Sequence, residues 1–142
     1  LLFFSISLFG DNRSVMNRFN NHLLKIMGSY PVYFREMIEH DNEVLLRKLG
    51  SGVVWSIPVQ IQVGRNYYFI ASADCDTVDI RMEIIDELTG QLLFRESAIS
   101  PNAAIYIVNA PYHPGRILVS ISLDNSQGLN NIDVAYQGYT FR

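Results

Sequence analysis

The 142-residue chain contains one cysteine, Cys75. That excludes an internal disulfide framework and any zinc site built on several thiolates. Lysine is nearly as scarce, at Lys25 and Lys48 only, so no polybasic tract is present for anionic lipid. A net charge of −3 argues against nucleic acid as a partner, because phosphates are met by a basic patch. Charged residues make up 18% against 49% hydrophobic, which excludes a disordered chain. No apolar run approaches the roughly 20 residues a helix needs to cross a bilayer, so no integral membrane segment is expected. The sequence also lacks a G-x-S-x-G elbow, a phosphate-cradling glycine loop, a dinucleotide fingerprint and an H-E-x-x-H pair. It points away from an enzyme.

What is present favours β-structure, with eight tyrosines and eight phenylalanines among the 12% aromatic residues. Residues 1–10, LLFFSISLFG, carry no charge and match the apolar core and small-residue end of a secretory signal peptide, here truncated. Secretion to the periplasm or the exterior follows as an expectation. The period-two alternation of Phe4-Ser5-Ile6-Ser7-Leu8 leaves two others: a retained strand given to a neighbouring subunit, or an ordinary core strand. Residues 11–42 form the expected helical segment. Val15, Met16, Phe19, Leu23, Leu24, Ile26 and Met27 recur mostly at spacings of three and four, with Asp11 or Asn12 as N-cap and Gly28 as the stop. Pro31, Phe34, Met37 and Ile38 suit a second short helix over 30–40, although Val32-Tyr33-Phe34 would equally begin a strand.

After Gly52 the period changes to two. Val53, Trp55, Ile57, Val59, Ile61 and Val63 share one side, and Pro58 marks that strand as an edge or a bulge. Further strands are expected over 67–73, 79–84, 91–95, 105–108, 116–123 and 133–141, separated by turn signals such as Gly64-Arg65-Asn66 and Glu87-Leu88-Thr89-Gly90. The fold class is mainly β: an antiparallel β-sandwich of about eight strands, jelly-roll-like, over residues 43–142, preceded by one or two N-terminal helices.

The order of motifs from Leu49 to Val119 resembles the bacterial pre-peptidase C-terminal-like β-sandwich, in its small secreted form with one N-terminal helix. The residues that carry the resemblance are Val63-Gly64-Arg65-Asn66-Tyr67-Tyr68-Phe69, the run Ala73-Asp74-Cys75-Asp76-Thr77-Val78-Asp79-Ile80-Arg81-Met82, the hairpin Asp86-Glu87-Leu88-Thr89-Gly90-Gln91-Leu92, and Pro114-Gly115-Arg116-Ile117-Leu118-Val119. Two features depart from the pattern. Family members often have another cysteine near residues 74–79, and the hairpin here reads Glu-Leu-Thr-Gly rather than Asp-Gly. The resemblance implies a sandwich and secretion, and it says little about activity.

Asp74, Asp76 and Asp79 are the one concentrated polar cluster, expected together at one sheet end. Their oxygens suit calcium, the only cofactor left open, although EF-hand spacing is absent and turn-capping is the plainer role for such aspartates. The same carboxylates read only weakly as a glycosidase pair. His22, His40 and His113 are scattered, and Gly50-Ser51-Gly52 reads as a β-turn. Tyr106, Tyr112, Tyr136 and Tyr139 are either a stacking platform or, the plainer reading, buried rings with hydroxyls at the rim. The expected function is that of a secreted, non-catalytic binding or adhesion-type module for a protein or glycan at the cell surface. Two alternatives stand beside it, a self-assembling subunit of an extracellular homopolymer and a secreted hydrolase.

Overall fold

Helix α1 (Arg13–Ser29) starts where the Asn12 carbonyl accepts the Met16 N–H at 3.0 Å, so Asn12 is its N-cap residue. In the computed structural model, residues 12–29, 37–40, 43–96, 99–108, 110, 115–124, 128 and 130–141 are described. The signal-peptide and strand-donation readings of residues 1–10 fall outside them. One stripe of α1 is buried, comprising Val15, Met16, Phe19, Leu23 and Ile26, whereas Leu24 faces outward. The expected seven-residue stripe is therefore narrower by Leu24 and the half-buried Met27.

Nine strands follow among the described residues: β1 (Met37–His40), β2 (Leu45–Leu49), β3 (Val54–Ile61), β4 (Asn66–Ala73), β5 (Asp79–Asp86), β6 (Leu92–Arg95), β7 (Asn102–Ile107), β8 (Gly115–Asp124) and β9 (Ile132–Phe141). One sheet runs β1-β9-β4-β7, with β2 also on β9, and the other runs β3-β8-β5-β6. Every pairing is antiparallel. Four of the pairs nest around one turn: β5 with β6, β4 with β7, β3 with β8 and β2 with β9. The chain is thus one long hairpin rolled into two sheets, the jelly-roll arrangement expected from the sequence. The pivot lies at residues 86–91. There the Asp86 carboxylate accepts the Leu88 N–H at 2.9 Å, the Asp86 carbonyl accepts the Gly90 N–H, and Gly90 takes a positive φ of 73° that favours glycine.

Two expectations fail at the first sheet's edge. A helix does not extend through residue 40, because Met37–His40 is β1 and pairs with residues 139–141 of β9. Residues 30–36 lie outside the described set. The boundary also moves, since the sheet begins inside the segment 11–42, and β2 was not anticipated. β1 and β2 lie end to end along the same side of β9, so the sheet is four positions wide and the ninth strand is a break in one edge. The physical reason is non-local. β9 has backbone donors and acceptors on that side, and pairing them outweighs a short helical pattern.

β9, which has no charged residue after Asp133, is a central strand, between β1 or β2 on one side and β4 on the other. Its Val134 and Tyr136 face the sandwich interior with Phe69 and Ile121, and its Ala135, Tyr139 and Phe141 face α1 with Tyr68 and Ile70. Both faces are buried, and that explains the missing charge. We call this sheet the covered sheet, since α1 makes a third layer on it. The other, the open sheet, keeps strict alternation, with Trp55, Ile57, Val59 and Ile61 of β3 inside. Pro58 stands on β3, an edge strand of that sheet, as expected.

Candidate functional site

Asp74 and Asp76 are drawn onto the helix, and Asp79 is not. Arg18 of α1 reaches both Asp74 (Nε–Oδ1, 2.9 Å) and Asp76 (Nη2–Oδ1, 2.7 Å), and the Ser14 hydroxyl donates to Asp74 Oδ1 at 2.8 Å. Asp79 opens β5 and lies opposite Asp124 of β8. Among the described residues no three His, Cys, Asp or Glu side chains gather where they would hold a metal. What the arrangement does is tie the N-terminal half of α1 to the β4–β5 turn. Asp76 is 81% exposed, so the tie belongs among surface ion pairs. Arg18→Gln is expected to lower stability by at most about 1 kcal/mol in a denaturant titration, with the loss shrinking as salt is added.

In the same turn, Cys75 Sγ lies 3.3 Å from the Thr77 hydroxyl, which holds the thiol below its ordinary pKa. No acid or base completes a nucleophilic pair with it in the described contacts.

His22, on the buried side of α1, places Nε2 at 3.3 Å from the Ala103 carbonyl oxygen. Because that oxygen can only accept, Nε2 carries the proton. Burial pulls the His22 pKa below 6.5, with Lys25 adding to the effect and the Ala103 carbonyl and Glu96 opposing it. A lowered native pKa means the unfolded chain takes up the proton first as pH falls. His22 therefore contributes stability above about pH 6.5 that is lost on acidification. Stability measured between pH 7.5 and about pH 5 is expected to fall less steeply in His22→Gln than in wild type. The imidazoles of His40 and His113 lie outside the described side chains.

Among the described residues the tyrosines do not form a platform. Tyr136 and Tyr139 are buried in opposite layers, and the Tyr139 hydroxyl donates to Gln137 Oε1 at 2.6 Å. Burial raises the Tyr139 pKa well above its usual value. The Tyr106 ring lies against Tyr68 in a tilted pair, with centroids 5.0 Å apart, beneath the helix, and Tyr112 is outside the described residues. Tyr67 has its ring in the core and its hydroxyl accepting the Gln62 N–H at 2.7 Å.

The outer face of the open sheet carries exposed and half-buried side chains, and sequence reasoning did not single it out. Strand register lays its side chains out in rows. Ser56, Ser120, Glu83 and Arg95 form one row across all four strands. Pro58, Leu118, Ile85 and Leu92 form the next, an apolar strip from edge to edge. A bulge between Ile84 and Ile85 turns Leu93 and Phe94 inward and leaves Leu92 facing out. The strip is bordered by two ion pairs, Arg95 with Glu83 and Arg116 Nε with Glu87 Oε2 at 2.8 Å. The alternation of β3, β5 and β8 was the available signal. Locating the strip also required the pairing register, which local sequence does not supply.

No protein-family model matches the chain, and no curated protein matches it.

Proposed function

We propose that this protein is a secreted, non-catalytic jelly-roll module that binds a protein partner through the outer face of its open sheet. The observation that carries the reading is the apolar strip Pro58–Leu118–Ile85–Leu92, exposed or half-buried and bordered by the Glu83–Arg95 and Glu87–Arg116 pairs. An apolar centre with a polar rim is the anatomy of a protein interface. A glycan would be met by exposed aromatic rings, and the described residues of this face contribute none. Secretion is supported by the uncharged run LLFFSISLFG, and the pre-peptidase-like reading by the motif order and the two-sheet architecture. The test pairs cell-surface crosslinking with a Leu118→Arg/Ile85→Arg variant that retains the wild-type circular dichroism. A crosslinked partner lost in the variant is the expected result. Crosslinking unchanged by the variant, or hydrolysis of a glycan or peptide panel by the wild type, would overturn the reading.

A further inference from the structure

A jelly roll of two open sheets has four edges, and three of them carry recognised obstacles to pairing with another chain. β3 carries Pro58, β6 is four residues long with a bulge and Arg95, and the β1–β2 edge is broken and carries Arg47 and Lys48. The fourth, β7, has the sequence NAAIYI, with no charge, no proline and no recorded register shift against β4. Among the described residues no strand pairs with its far side. Two of its amides that point away from β4 are instead met by side chains from the preceding connection. The Asn102 N–H donates to Ser100 Oγ at 3.0 Å, and the Ala104 N–H donates to Glu96 Oε2 at 3.4 Å. Glu96 and His22 thus take the two polar atoms of a single peptide group, Glu96 its N–H and His22 its carbonyl.

We infer that the outer edge of β7 is a self-pairing surface for a second copy of this chain, held closed by Glu96. The occupant follows from the strand itself. Outward amides fall on alternate residues, so an antiparallel copy would bond through Ala104 against Ala104, with Asn102 opposite Tyr106. The two-fold axis then passes between the two Ala104 residues, beside the amide that Glu96 occupies. With no charged residue in β7, the pairing meets no like-charge repulsion. It would also bring Val108 of one copy against Ser100 of the other, beside Ile99. These two apolar side chains are 61% and 87% exposed in the single chain, and the pairing covers both. The surface is separate from the open-sheet face and does not depend on the function proposed for it.

Sedimentation velocity from micromolar to submillimolar protein tests the inference. Glu96→Ala is expected to double the particle mass relative to wild type. Glu96→Gln, whose amide oxygen can still accept, should keep the wild-type mass. Adding Ala104→Pro to Glu96→Ala removes the N–H at the axis and should restore the wild-type mass. Glu96→Asp, too short to reach Ala104, serves if the alanine variant does not fold, and it too should double the mass. An unchanged mass for Glu96→Ala, or a doubled mass that survives Ala104→Pro, overturns the proposal. Loss of folding in both the alanine and the aspartate variants would assign the carboxylate to the fold itself and also overturn it.

Discussion

Phe19→Ala is expected to destabilise the whole protein by about 3–5 kcal/mol and to do so in a single unfolding transition. Phe19 is fully buried and sits at the middle of α1, packed with Tyr68, Ile70, Tyr139 and Phe141 of the covered sheet. Truncating it removes most of a large apolar side chain and leaves a cavity between two rigid layers that can close only in part. For a domain of this size the melting temperature should drop by about 10 °C or more. Leu24→Ala, on the same helix but 52% exposed, is the control and should stay within about 0.5 kcal/mol. Calorimetry distinguishes the outcomes. A silent Phe19→Ala, or a small early transition ahead of an unchanged main one, would mean that α1 is an appendage rather than a layer of the fold.

Ala135→Asp should be more damaging still, by upwards of about 4 kcal/mol at neutral pH. Ala135 is fully buried on the helix-facing side of β9, where an ionised carboxylate would lack both water and a cation. Desolvation would raise that carboxyl's pKa in the folded state above its unfolded value near 3.9. The sign then runs one way: below about pH 4 the group is protonated in both states and the charge penalty vanishes, and the penalty grows as pH rises towards the folded pKa. Leu46→Asp is the matched comparison, because Leu46 lies directly opposite Ala135 in register but on the exposed β2. It should cost no more than about 1 kcal/mol. Urea titrations of both variants at pH 4 and pH 7 check the pair. Equal costs at the two positions would contradict the placement of β9 as a strand buried on both faces.

The alternation of β3, β5 and β8 was legible because each of those strands keeps one face wet, and a strand with one buried face writes its orientation into every second residue. The helix was legible for the same reason, at its own period. β4 and β9 gave weaker signals because α1 covers the face that would otherwise have stayed polar. Tyr68, Ile70, Ala135 and Tyr139 then look like undirected apolar content until the third layer is in place. β1 and β2 were misread or missed because a short strand at a broken edge exists through its partner, and β9 lies about ninety residues further along the chain.

The candidate sites divide along the same line. Asp74, Asp76 and Asp79 were expected together at one sheet end, and composition could not say that an arginine on α1 would claim Asp74 and Asp76. The sequence by itself determined the sandwich, its turns, the position of the helix and the guard at Pro58, because burial period, turn chemistry and proline's missing N–H are local properties. The tertiary structure alone decided which strand became an edge, which charges met, and which apolar residues lined up across the open sheet. Those depend on register and layer order, which arise only when distant segments pair.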